Sequence, residues 1–184
     1  FQDIIEKFQT IDICVFCAAI HDPESEKKLS IEKIREIMET NFFGTVNCIM
    51  AVNTYFRKRK NGHISIVSSV AAYRGFPAAS GYCASKAALT SLAESLYFDF
   101  KRYNVRVSVV SPGFIKTPLT DKNKFLMPMI KSPEYAAEKM FIGLTKKNVF
   151  EIHFPKTFTI IVKLLKIMPN WLFLLLVGRG IKRF

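Results

Sequence analysis

Acidic residues are scarce in this chain. Fifteen Asp and Glu stand against 27 Lys and Arg, a formal net charge of +12 over 184 residues. A surface so charged attracts anions, whether phosphorylated cofactors, acidic lipids or nucleic acid. The basic residues are scattered rather than striped and no reading helix is recognisable, so no nucleic-acid partner is expected. Cysteine is also sparse, at Cys14, Cys17, Cys48 and Cys83. Cys14 and Cys17 form a C-x-x-C, but they sit inside the apolar run "IDICVFCAAI" with no second ligand pair nearby. Buried, reduced thiols fit this setting better than a zinc or redox centre; no metal is expected, and such thiols suit a cytoplasmic location. A membrane-spanning run is missing from the tail too. Its longest uncharged stretch, Ile167 to Gly178, falls short of the roughly 20 apolar residues that cross a bilayer. No secretory signal is visible, because "FQDIIEKFQT" has neither a basic n-region nor an apolar h-region. There is no initiator methionine, no internal repeat and no low-complexity segment; the chain reads as the later part of something longer.

What is present reads as a globular chain. Apolar residues make up 49% and charged residues 23%, enough to bury a sizeable core in one domain. Strand-like and helix-like segments alternate. "IDICVFCAA" (11–19) is a buried strand, followed by the polar "HDPESEKK" loop. Residues 30–59 carry a long helical pattern opened by Ser30 as N-cap, with Lys33 where a capping box would place Glu. Asn61-Gly62 turns the chain into the strand "HISIVSS". A second long helix covers 80–103, and "VRVSVVS" is a strand stopped at Pro112-Gly113. Residues 133–147 form a helix with Pro133 in its first turn, and "VFEIHF" is the last strand. This alternation implies βαβ crossovers, hence an α/β fold with a parallel sheet covered on both faces. Ligands of such sheets bind beyond the carboxyl ends of the strands. Cys17-Ala18-Ala19, Ser68-Ser69 and Ser111-Pro112-Gly113 all fall at those ends.

One of those ends leads into a chemical constellation. Tyr82 and Lys86 are four apart on the second long helix, so they share a face, and Ser69 precedes Tyr82 by thirteen residues at a strand end. A free phenol titrates near 10; a neighbouring ammonium favours the phenolate and brings it toward useful acid–base range. Ser69 is placed to hydrogen-bond the substrate oxygen whose proton Tyr82 gives or takes. This block, "SSVAAYRGFPAASGYCASKAAL", resembles the active-site block of the short-chain dehydrogenases/reductases. "METNFFGTVNCIMAV" resembles the Asn-x-x-Gly-Thr helix of that family, and "VVSPGFIKTPL" its Pro-Gly-x-x-x-Thr motif. The likeness runs in order from about residue 10 to 152. It implies a Rossmann-like doubly wound sheet over 1–153, here without the N-terminal glycine-rich part, and a C-terminal extension over 154–184.

The resemblance also implies roles. Tyr82 is the general acid for carbonyl reduction or the base for alcohol oxidation; Lys86 lowers its pKa and holds the nicotinamide ribose; Ser69 polarises the carbonyl; Asn41 anchors a water linking Lys86 to solvent. Ala18 and Ala19 keep room for the cofactor ribose, Ile115 of the Pro112-Gly113 turn offers its backbone to the carboxamide, and Thr117 lies nearby. The implied cofactor is NAD or NADP, and the substrate a small carbonyl or secondary alcohol, apolar in view of the tail. Two features depart from the pattern: Phe16 stands where the family has an asparagine that braces the strand, and no Gly-x-x-x-Gly-x-Gly occurs before residue 11. The alternative is a catalytically silent scaffold or membrane-associated module. Residues 1–184 by themselves are expected to bind the dinucleotide weakly. A handful of hydrogen bonds at roughly 1 kcal/mol each falls short of the roughly 8 kcal/mol behind micromolar affinity.

Two surfaces carry further expectations. The helices 30–59 and 80–103 are expected to pack side by side and form a homodimer or tetramer interface through Phe42, Phe43, Met50, Leu92, Leu96 and Phe100. In the tail, Lys156, Thr159, Lys163, Lys166 and Asn170 make a narrow basic stripe on an otherwise apolar helix broken at Pro169. Such a helix lies on an acidic membrane surface, or packs on the substrate cleft or a partner subunit.

Overall fold

A computed structural model describes residues 1–146 and 149–181, with the side chains of all of these except 24, 25 and 179–181. Its centre is a four-stranded, wholly parallel sheet: β1 (Ile13–Phe16), β2 (Gly62–Val67), β3 (Val105–Pro112) and β4 (Glu151–Phe154), adjacent in chain order. In chain order the helices are α1 (Gln2–Phe8), α2 (Pro23–Glu26), α3 (Ile31–Met38), α4 (Gly44–Arg59), α5 (Ser80–Lys101), α6 (Pro133–Thr145), α7 (Lys156–Ile167) and α8 (Asn170–Ile181). The expected α/β architecture with helices on both faces is present. On one face, Ile49, Val52 and Phe56 of α4 and Leu89, Ala93 and Phe100 of α5 close over Ile64, Ile66, Val107 and Val109. On the other, Leu144 of α6 packs with Val67, Val110, Ile152 and Phe154.

The parallel register aligns the strand ends. Phe16 lies beside Ile66, Val67 beside Val110, and Pro112 beside Phe154. All four strands therefore end along one edge. β1 is shorter than expected because its flanks are claimed by other partners. The Ile11 N–H donates to the Tyr55 hydroxyl at 3.0 Å, and the Arg59 guanidinium donates to the Ile11 carbonyl. Cys17–Ala19 leave the ladder as a loop in which Cys17 is exposed; all four cysteines are free thiols, and only Cys83 is fully buried. Asn61-Gly62 does turn the chain. Lys60 takes a left-handed conformation at φ 52°, and Gly62 at φ 150° lies against the Phe56 ring, where a Cβ would come within 2.2 Å.

The helix expected over 30–59 begins as predicted, with Ser30 accepting from the Lys33 N–H. It is interrupted, however, by a π turn over Glu39–Phe43 that carries Asn41. Phe100 requires a correction. It is 1% exposed inside the core and is not part of an outward face, whereas Phe43 and Met50 of the same expectation are exposed.

The tail folds back on the sheet with its polar stripe facing inward. Glu151 of β4 accepts hydrogen bonds from the Tyr73 hydroxyl and the Lys163 ammonium. His153 pairs with the Thr159 hydroxyl at 2.6 Å, and Thr159 is fully buried. Lys166 lies over the Tyr73 ring, and Arg74 donates to the Asn170 side chain at 2.6 Å. Burial alone would raise the Glu151 carboxyl, but the Lys163 and Tyr73 hydrogen bonds prevail and hold it below the ordinary range. The outer face is left apolar.

His63 supplies a stability test. It is buried on β2 with its Nε2 at 2.8 Å from the Ser108 hydroxyl. Burial, aided by Arg106, holds its imidazole down to about 4. The unfolded chain takes up that proton near 6.5, so the unfolded state binds more protons between the two values. The His63 contribution is complete above pH 6.5 and is lost, to about 3 kcal/mol in all, as pH falls from 6.5 toward 4. Urea unfolding followed across this window is expected to lose stability accordingly, and His63→Asn is expected to flatten the slope.

Candidate active site

The common edge of the strands collects the expected residues. Ala18 and Ala19 follow β1, Ser69 follows β2, and Pro112 and Gly113 end β3. Helix α5 crosses behind them and delivers Tyr82 and Lys86. Lys86 is 2% exposed, and its ammonium donates to the carbonyl of Val67, the last residue of β2, at 2.8 Å. Ser68 reinforces this junction by donating from its hydroxyl to the Lys86 carbonyl at 2.8 Å. The Lys86 Nζ also lies 5.7 Å from the centre of the Tyr82 ring. Burial brings the ammonium down to about 8, with Cys17 opposing. Burial likewise pushes the Tyr82 phenol up to about 12, while a hydrogen bond with Ser69 pulls the other way. The three residues are thus together, and in this arrangement desolvation outweighs the Ser69 hydrogen bond at the phenol.

Asn41 sits at the centre of the π turn and is completely buried. Its Oδ1 accepts from the Ile20 N–H at 2.7 Å, and its Nδ2 donates to the Ile20 carbonyl and to Ser85 on α5, both at 3.0 Å. Both amide protons are taken, so the side chain ties the loop after β1 to the helix of Tyr82. It provides the bracing that Phe16 cannot. Beyond β3, Ile115 bridges to Lys131, and its carbonyl accepts from the Thr120 hydroxyl at 2.6 Å. Thr117 closes the same turn, its N–H donating to Thr120 at 2.9 Å. Gly113 has a second role in this chain: a Cβ there would sit 2.7 Å from the Phe158 ring of α7, so the glycine lets the tail seat against the strand end.

A sequence profile described as short chain dehydrogenase matches residues 1–125. The chain belongs to the short-chain dehydrogenase family. An uncharacterized oxidoreductase of Myxococcus xanthus is 36% identical over 163 residues, covering 89% of this chain and 64% of that protein. A short-chain dehydrogenase of Streptomyces avermitilis superposes with a TM-score of 0.77 at 20% identity, over 89% of this chain and 66% of that one. A short chain dehydrogenase of Mycobacterium paratuberculosis, solved bound to NAD, gives a TM-score of 0.71 at 25% identity, over 83% and 65%. The chain spans between about a third and two thirds of the length of the curated relatives it matches.

Within this family site, sequence reasoning missed two side chains. Helix α5 has Ala79 at its N-cap, which offers no capping side chain. Its free N–H groups are met from far upstream: Glu26 Oε2 accepts from Gly81 at 2.7 Å and from Tyr82 at 3.3 Å. The other carboxylate oxygen lies 2.7 Å from His21 Nδ1, and the His21 ring packs on the Tyr82 ring with centroids 4.5 Å apart. An anion at a helix N-terminus is favourable, and Glu26 is 5% exposed. The polar loop "HDPESEKK" reads as solvated, and no local spacing marks Glu26, because its partners are distant in sequence. Glu26→Ala is expected to cost about 2 kcal/mol by leaving buried donors unmatched. Glu26→Gln, which keeps an acceptor, is expected to lose less, as read from urea midpoints.

Proposed function

We propose that this chain carries the catalytic half of an NAD- or NADP-dependent oxidoreductase that interconverts a carbonyl and a secondary alcohol on a small molecule, with Asn41, Ser69, Tyr82 and Lys86 as its working residues. The observation that carries the reading is the meeting of Tyr82, Ser69 and the buried Lys86 at the strand ends. An ammonium 2% exposed beside a half-buried phenol is the kind of perturbed pair that marks acid–base sites. The residues suit the nicotinamide half of such a cofactor. The loop after β1 offers only small Ala18 and Ala19, and Lys86 is the cation at hand for ribose hydroxyls. A bound nicotinamide supplies or accepts the hydride; the rest falls to the protein.

The phenol held near 12 is protonated at neutral pH, which suits Tyr82 to donate to a carbonyl oxygen as it gains electrons. Ser69 stands beside it to hydrogen-bond the same oxygen. The phenolate left behind is stabilised by Ser69 and by the Lys86 charge, and Lys86 is in turn held in place by Val67. Asn41 keeps the helix and the loop in register. Ala18, Ala19, Pro112, Gly113, Ile115 and Thr117 form the wall on which the cofactor lies in this proposal. The exposed Phe43 and Met50 suit an assembly through α3–α5.

In the complete protein, Tyr82→Phe is expected to abolish turnover while changing the dinucleotide Kd less than about threefold, because only the ionisable oxygen is removed. Lys86→Ala is expected to damage both. Steady-state rates together with calorimetric titration of NAD and NADP check this, and substantial activity in Tyr82→Phe would overturn the assignment.

A further inference from the structure

The tail leaves a broad apolar surface facing water. Its inward contacts are polar and apolar together: Lys163 on Glu151, Thr159 on His153 and Asn170 on Arg74, with Val162 and Phe158 packed by Val70 and Tyr73 and with Phe173 buried. These fix the rotation of α7, and its remaining apolar residues face outward. Leu164 is 56% exposed and Ile167 79%, and on α8 Trp171 is 68% exposed. The loop preceding α6 joins this surface. Phe114 packs against both Phe125 and Phe158, Thr157 touches the Met129 sulfur, and Leu126 is 80% exposed. An apolar face this broad, on two twelve-residue helices, needs a covering.

We infer that α7, α8 and the 125–130 loop form a docking surface for an anionic lipid bilayer, lying in its interface plane. Charge decides the occupant. Lys116 after β3, Lys122 just before the 125–130 loop and Lys156 at the start of α7 are all exposed, on a chain of net charge +12. A second copy set on this face would bring two sets of these lysines together, whereas an acidic lipid surface matches both the charge and the apolar helices. No helix among the described residues is long and apolar enough to cross a membrane, so the contact is with the surface. It stands apart from the reaction proposed above and is read without turnover.

Trp171 is the only tryptophan, and it lies in the patch. Mixed with vesicles of phosphatidylcholine and phosphatidylglycerol, the purified protein is expected to float with them and its emission to shift to the blue. Pure phosphatidylcholine is expected to do neither, and 1 M salt, where the Debye length is about 3 Å, is expected to weaken binding. Leu164→Glu with Ile167→Glu is expected to weaken binding at least about tenfold with an unchanged urea midpoint, since both side chains are exposed. Quenching of Trp171 by brominated lipid in the unaltered protein gives the same reading if that variant fails to fold. Unshifted emission on phosphatidylglycerol vesicles would overturn the inference. So would equal binding by the folded variant, or a dimer that the variant dissolves while lipid binding is unaffected.

Discussion

A buried ammonium holds the functional half of this molecule together. Lys86 has almost no access to water, and a charge in that position is tolerable only with a strong acceptor. It finds one in the last carbonyl of β2, and Ser68 returns the bond from strand to helix. Because the same contact joins the strand end that leads to Ser69 and the helix that carries Tyr82, satisfying the charge also assembles the site. The surrounding braces act on the same joint. Glu26 closes the start of α5, and Asn41 locks α5 to the loop after β1.

Each brace crosses a long stretch of sequence to solve a local backbone problem. Helix α5 starts without a capping side chain of its own, and a carboxylate from the β1–α3 connection fills the gap. The helix pattern over 30–59 breaks into a π turn at the one residue whose amide must reach both Ile20 and Ser85. Such irregularity concentrates where a side chain must be aimed rather than merely buried. The tail obeys a related rule. Its polar stripe is narrow because it answers the few polar groups that β4 and the 70–74 segment leave at the sheet edge, and its wide apolar face is what remains.

Much was legible in the chain itself. Four parallel strands, the two long helices, the cap at Ser30, the helix start at Pro133 and the turn at Asn61-Gly62 follow from periodicity and local stereochemistry, which act over a few residues. The spacing of Ser69, Tyr82 and Lys86 is legible for the same reason: a helix fixes where i and i+4 lie, and a parallel sheet fixes where strands end. Tertiary structure alone decided the matters that depend on distant partners. It buried Phe100, which periodicity placed on an outer face; it raised the Tyr82 phenol by desolvation where proximity to Lys86 argued for lowering; it brought Glu26 and His21 to the helix of Tyr82; and it turned the tail's polar stripe inward. Burial and long-range pairing set these, and neither is a property of a residue and its near neighbours.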